Sequence, residues 1–140
     1  YLTGRRIQRA LELGLTVGPQ PDPAAYAEHL QFLHLGEASL MTPATLLAIT
    51  RRQAPEGERS NFTVARCERN VANRLRVIER RLEDGRPWLT GDRFTIADIS
   101  TAYALHYMRA RELDGMIPPL ALAYLDRACA RPAFQRAAQR

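Results

Sequence analysis

The stretch from Trp88 to Ser100 constrains the fold of this chain more than any other, because it combines several signals for the start of a helix. Thr95 and Asp98 stand three residues apart directly before an apolar run, which is the spacing of a capping box. In that arrangement the Thr95 hydroxyl accepts from the Asp98 backbone N–H, and the Asp98 carboxylate accepts from the Thr95 N–H. Phe94 and Ile99 flank the box at the positions of a hydrophobic staple. The stretch therefore predicts a helix that begins directly after Thr95.

The rest of the chain shows helical periodicity and no run that alternates with a period of two. Apolar residues recur at spacings of three and four, as they do in amphipathic helices. Asp22 and Pro23 form a favoured pair for an N-cap and a first helical position. The predicted helices cover residues 23–52 with a bend at Pro43, about 61–83, the capping box to about 111, 118–129 and a short stretch after Arg131. The predicted fold is all-α, a bundle of several helices.

Composition limits the class of protein. A chain of 140 residues, 46% hydrophobic and 25% charged, is typical of one globular domain. We find no signal peptide and no apolar run near the ~20 residues of a membrane span, so we expect no membrane contact. Cys67 and Cys129 lack metal-type or CxxC spacing and fall on apolar stripes, which fits buried thiols in a reducing compartment, and the expected location is cytoplasmic. His29, His34 and His106 show no metal-ligand spacing either, so no metal site is predicted.

The net charge of +5 raises the question of nucleic-acid binding. All 20 basic residues are arginines, spread along the chain and interleaved with Glu and Asp. Nucleic-acid surfaces usually cluster basic residues on one face. The sequence therefore does not favour a nucleic-acid partner.

Three segments together resemble a known family. Leu89–Asp92, followed by Phe94–Ile99 and then by Arg131–Phe134 about thirty residues later, resemble the C-terminal helical domain of a glutathione S-transferase. The run Gln31–Met41 resembles the first helix of that domain in bacterial members. The resemblance implies that residues 22–140 form this domain. It also implies that residues 1–21 are a linker and the end of a thioredoxin-like domain that is absent from this chain.

The resemblance implies a function for the longer protein. Glutathione S-transferases conjugate glutathione to hydrophobic electrophiles in detoxification, and they are commonly homodimers. Their thioredoxin-like domain supplies most of the glutathione site and the residue that stabilises the thiolate. This chain is therefore expected to provide no catalytic residue and to be inactive alone. It would contribute the electrophile-binding wall and part of the dimer contact, and apolar side chains such as Leu2, Ile7 and Leu11 would be exposed.

Four residues match substrate-binding positions by this resemblance, and each has a second interpretation. Met41 and Tyr107 match positions that line the electrophile pocket, while Met41 is equally well explained as core filler. Tyr103, one turn before Tyr107, fits either the pocket wall or the buried core. Glu37 matches a residue that approaches the glutathione amino group across the dimer, or it is a solvated carboxylate. Met41, Tyr103 and Tyr107 are expected to border one cleft.

The remaining residues of interest have structural roles. Thr95 and Asp98 are assigned to the capping box, and Phe94 and Ile99 to the staple; none of them is predicted to be catalytic. Two other functions stay open. Similar helical domains serve as non-catalytic assembly modules on translation elongation factors and aminoacyl-tRNA synthetases, and a free-standing helical binding domain is the third possibility. A cleft shared by Met41, Tyr103 and Tyr107 favours the enzyme, whereas a smooth charged face favours the assembly module.

Overall fold

Six α-helices make up the part of the chain that the computed structural model describes, residues 23–138. They are α1 (Pro23–His34), α2 (Thr42–Gln53), α3 (Phe62–Leu82), α4 (Ile96–Ala110), α5 (Pro119–Cys129) and α6 (Pro132–Ala138). A π-helical segment, Leu35–Met41, connects α1 to α2, and two single 3-10 turns cover Glu56–Glu58 and Asp114–Met116. Across the described residues there is no strand, so the all-α prediction is confirmed. The expectations for residues 1–21, including exposed Leu2, Ile7 and Leu11, lie outside the described residues.

The longest helix, α3, follows its predicted apolar stripe. It buries one side chain every three or four residues, at Val64, Cys67, Val71, Leu75, Ile78 and Leu82. Its start is capped by Asn61, whose side-chain oxygen accepts from the Val64 N–H at 3.0 Å. It ends beside Gly85, whose φ of +80° suits glycine and whose N–H donates to the Leu82 carbonyl. Local signals in the sequence are sufficient to define this helix.

The core is arranged around α4. This helix packs against α1, the π-helical segment and α5. Its buried positions are mostly small, which lets the neighbouring helices approach closely: Ala97, Asp98, Thr101, Ala102, Ala104, Leu105 and Met108. The helix begins after Thr95, as the capping box predicts.

The helical run from Pro23 to Gln53 departs from α-helical geometry upstream of the expected bend. It continues through Pro43 as predicted, but the irregular part is the π-helical segment before that proline. The buried residues explain why, because they recur every four positions at Phe32, Gly36, Leu40, Ala44 and Ala48. In an α-helix with 3.6 residues per turn, a residue four positions later points about 40° further around the helix axis. Over the four steps from Phe32 to Ala48, the direction of the buried side chains would therefore shift by about 160°. One inserted residue removes about 100° of that shift.

This run also has the length and composition of a membrane span. Ala25–Gln53 comprises 29 helical residues, with a mean hydropathy of 1.3 in its most apolar window. No uninterrupted apolar run of this length was expected, because Glu28, Gln31 and His34 interrupt the apolar residues, but the mean hydropathy of the window stays high. A helix buried in the core of a soluble protein can have the same length and mean hydropathy. Here Phe32, Leu40 and other buried side chains of the run belong to the same core cluster as α3 and α4.

The start of α5 is capped from another helix. Its N-cap residue is Pro118, which forms no side-chain capping bond. Glu79 on α3 supplies the acceptors instead, because Leu120 N–H donates to Oε1 at 3.1 Å and Ala121 N–H donates to Oε2 at 2.9 Å. A carboxylate at a helix N-terminus also interacts favourably with the helix dipole. Glu79 therefore fixes α5 against α3.

We expect Glu79→Ala to lower the free energy of unfolding of the chain by about 0.5–2 kcal/mol, the usual cost of losing a cap. Glu83→Ala is the matched control, because Glu83 is an exposed carboxylate at the end of the same helix and has no side-chain hydrogen bond. Urea denaturation followed by circular dichroism measures both. Equal effects of the two substitutions would show that Glu79 does not cap α5.

Candidate functional site

The N-terminus of α4 is built on the carboxylate of Asp98, which is fully buried. Oδ1 accepts from the Leu89 N–H at 2.9 Å and from the Tyr124 hydroxyl at 3.1 Å. Oδ2 accepts from the Thr95 N–H at 2.8 Å and from the Thr95 hydroxyl at 3.1 Å. Thr95 and Asp98 thus form a capping box. A buried charge is costly unless it is hydrogen-bonded, and here four donors satisfy it.

Tyr124 remains a hydrogen-bond donor to this carboxylate. Burial raises the pKa of the Tyr124 hydroxyl well above its ordinary value, and the negative charge of Asp98 raises it further. The hydroxyl therefore stays protonated at physiological pH. The contact is suited to holding α5 against the start of α4, and not to acid–base chemistry.

An aromatic–arginine stack covers this junction. The Trp88 ring meets Phe94 edge-to-face at 4.8 Å and Tyr124 at 6.1 Å between centroids. Arg131 lies over Phe94, with 3.8 Å from its guanidinium carbon to the ring centroid, and Arg127 lies 5.5 Å from the Trp88 centroid. Such cation–π contacts are attractive because the ring face is electronegative. The Arg131–Phe134 segment is thereby tied to the loop before α4.

An apolar groove of about 460 Å³ lies beside this stack, between α4 and α6. Its walls include Phe94, Ile99, Tyr103, His106 and Phe134. The His106 and Phe134 rings meet edge-to-face at 5.1 Å. Ile99 is 49% exposed and Tyr103 is 56% exposed, so the groove presents large apolar surface to solvent. Surface of this kind marks contact with a ligand or with another part of a protein.

A second groove, of about 450 Å³, separates α2 from α3 and is more polar. It is lined on one side by Ser39, Thr42 and Leu46, and on the other by residues that include Arg66 and Cys67. Cys67 is buried and forms no disulfide.

The four residues predicted from the sequence to bind substrate lie in different parts of the structure. Tyr103 lines the apolar groove. Tyr107 is half-buried, and the guanidinium of Arg111 lies 5.3 Å from its ring centroid. Met41 ends the π-helical segment and packs partly buried against the core, while Glu37 in the same segment is exposed.

The structure brings Tyr103 together with Phe94 and Ile99, the two residues predicted to form the staple, in the apolar groove. Over residues 23–138, neither this groove nor the polar one is lined by Met41, Tyr107 or Glu37. The single cleft expected for Met41, Tyr103 and Tyr107 is thus neither of these two grooves. His106 and Phe134 were not predicted to line a groove, although Phe134 belongs to the Arg-Pro-Ala-Phe motif that carries the family resemblance.

The other reactive side chains lie apart from one another. In the part of the chain that the structure describes, no group of three or more His, Cys, Asp or Glu side chains is placed to hold a metal ion. His29 is buried, with its ring 6.5 Å from that of Tyr26, and His34 is exposed. Burial raises the pKa of the Cys129 thiol, which keeps it from being an activated thiolate.

Comparison with known proteins decides the family. The family described as "Glutathione S-transferase, C-terminal domain" matches residues 61–136, more than half of the chain. The chain belongs to the glutathione S-transferase family. No curated protein sequence gives a significant match.

Solved structures of glutathione S-transferases share this fold. A glutathione S-transferase from Methylobacterium radiotolerans, in complex with glutathione sulfonate, is 34% identical with a TM-score of 0.68, and the match covers 94% of this chain and 63% of that one. A glutathione transferase from Burkholderia graminis, with two glutathione molecules bound per subunit, is 26% identical with a TM-score of 0.71, covering 91% and 54%. One from Methylococcus capsulatus is 28% identical with a TM-score of 0.67, covering 88% and 57%. The chain thus spans between 54% and 63% of the length of these three relatives.

Proposed function

We propose that this chain is the helical part of a cytoplasmic, homodimeric glutathione S-transferase that conjugates glutathione to hydrophobic electrophiles. The observation that carries the proposal is the family match, together with relatives whose structures hold glutathione or glutathione sulfonate. The relatives are considerably longer than this chain. We therefore assign most of the glutathione site to a thioredoxin-like domain that precedes residues 22–140 in the longer protein.

The chemistry of the described residues supports this division. The family uses a Ser, Tyr or Cys to stabilise or carry the thiolate, and a cysteine in that role needs electropositive, partly exposed surroundings. Neither cysteine of this chain fits, because Cys67 is buried and burial raises the pKa of Cys129. By resemblance to the family, the residue that stabilises the glutathione thiolate is proposed to lie outside residues 22–140.

The apolar groove is proposed to receive the thioredoxin-like domain. Its exposed side chains, Ile99 and Tyr103, belong to the central helix of the domain, where large apolar residues would otherwise be buried. Packing of a second domain there would remove this surface from water. It would also create an inter-domain cleft, the kind of place where small-molecule sites often occur.

In this proposal Met41, Tyr103 and Tyr107 contribute the wall that contacts the electrophile, and Glu37 approaches glutathione bound to the partner subunit. Tyr103 and Tyr107 are four residues apart on α4 and hence on one face of it. Met41 is carried by the π-helical segment, which packs against α4. The cleft they share would be completed only by the preceding domain.

One observation favours a second function, that of a non-catalytic assembly module. Over residues 23–138, Met41 and Tyr107 do not line the groove that contains Tyr103. Such a module needs no pocket shared by these three residues, although the groove beside α4 is apolar and is not the smooth charged face expected for a module. The exposed apolar groove would then be the face that contacts the partner protein.

We expect residues 1–140 alone to be catalytically silent, because thiolate activation is assigned to the proposed thioredoxin-like domain. The purified chain, assayed for conjugation of glutathione to a nitro-aromatic acceptor, should show no turnover above the uncatalysed rate. A substantial rate that disappears on substitution of a residue of this chain would contradict the proposed division between the two domains.

In the longer protein, Tyr107→Ala should raise the KM for the hydrophobic acceptor and leave the KM for glutathione nearly unchanged. Losing one aromatic wall contact would weaken acceptor binding by about 1–3 kcal/mol. Thr95→Ala is the control, because it should lower stability by about 0.5–2 kcal/mol without altering acceptor preference. If Tyr107→Ala lowers stability and leaves the kinetic constants unchanged, Tyr107 is a core residue and its assignment to the wall is wrong.

A further inference from the structure

The π-helical segment Leu35–Met41 is held at its start by two hydroxyl groups of α4. The Ser100 hydroxyl donates to the Leu33 carbonyl at 2.7 Å, and the Thr101 hydroxyl donates to the Phe32 carbonyl at 3.0 Å. Both acceptors lie in the last turn of α1, where the helix changes from i→i+4 to i→i+5 hydrogen bonding. Side-chain groups that bond helix carbonyls are a recognised cause of local departures from the α-helical ladder.

Gly36 allows α4 to approach this turn. A Cβ atom at Gly36 would lie 2.5 Å from the backbone carbonyl carbon and oxygen of Ser100, and 2.6 Å from its hydroxyl. Any side chain there would push the two helices apart, because α4 presents backbone at the contact. The close contact at Gly36 and the two hydroxyl bonds therefore hold α4 against the same turn of the helix. The hydrogen-bonding pattern changes from i→i+4 to i→i+5 in this turn.

The register change decides where the following side chains lie. One extra residue in the turn rotates everything after it by about 100° relative to an uninterrupted α-helix. Met41 is the last residue of the π-helical segment, and it lies half-buried against the core. In an uninterrupted helix it would occupy a different position around the helix axis. π-helical turns occur frequently at functional sites.

We propose that Ser100 and Thr101 are positioning residues that fix the π-helical segment and so place Met41 in the electrophile-binding wall. The inference rests on the proposed transferase function and deepens it. Neither residue is assigned a contact with substrate. Each acts through the backbone of α1, and the relevant substrate is the hydrophobic acceptor.

The test compares acceptor kinetics of substituted forms of the longer protein. Ser100→Ala and Thr101→Val each remove one hydroxyl, and each should raise the KM for the acceptor about three- to tenfold, the effect of losing one hydrogen bond. Thr101→Ser keeps the hydroxyl and should restore a KM near that of the unsubstituted protein. Thr50→Ala is the control, because its hydroxyl makes an equivalent bond, to the Leu46 carbonyl at 2.8 Å, within α2. It should leave the KM unchanged.

Met41→Ala separates this inference from the function on which it rests. If Met41→Ala raises the acceptor KM while Ser100→Ala and Thr101→Val do not, the positioning role is wrong and the wall assignment of Met41 stands. If Met41→Ala has no effect, both the wall assignment and the positioning role are wrong.

Amide hydrogen exchange of this chain gives a measurement that does not depend on activity. Ser100→Ala should raise the exchange rates of residues 37–41 about three- to tenfold, since opening of the turn would cost one hydrogen bond less. Thr50→Ala should leave these residues unchanged. Equal rates in Ser100→Ala and in the unsubstituted chain would overturn the proposal.

Discussion

The buried carboxylate of Asp98 is the interaction on which the rest of this domain depends. Its four donors come from the loop before α4, from the N-cap residue Thr95, and from Tyr124 on α5. A fully buried carboxylate is tolerated only when such donors are in place, so these three parts of the chain must assemble together. The start of α4, and with it the direction of the central helix, is set by this requirement.

The surfaces assigned to function lie on α4 and follow from its placement. Near its start, Phe94 is covered by Arg131, and the chain after Arg131 forms α6 and the far wall of the apolar groove. On another side, Ser100 and Thr101 bond to the end of α1. One helix thus contributes the groove proposed for the preceding domain, the wall residues Tyr103 and Tyr107, and contacts to the π-helical segment.

Local signals made much of the fold predictable. The capping box defined the start of α4, and the apolar stripe defined α3, because each depends on residues within a few positions of one another. Contacts across the domain carry no local signal, and so the cap that Glu79 provides for α5 and the π-helical segment were missed. The buried positions four apart from Phe32 to Ala48 were the one available sign of the π turn. For the site, Tyr103 was found in a groove, whereas the roles of Met41, Tyr107 and Glu37 stay predictions.

A double-mutant cycle between Asp98 and Tyr124 tests the central claim most directly. Asp98→Asn, Tyr124→Phe and the combined variant would be compared by urea denaturation of this chain. If the buried carboxylate holds α5 through the Tyr124 hydroxyl, the two substitutions should show a coupling free energy of about 0.5–3 kcal/mol. Effects on the free energy of unfolding that add to within about 0.3–0.5 kcal/mol would mean that the two residues act independently, and would contradict the account.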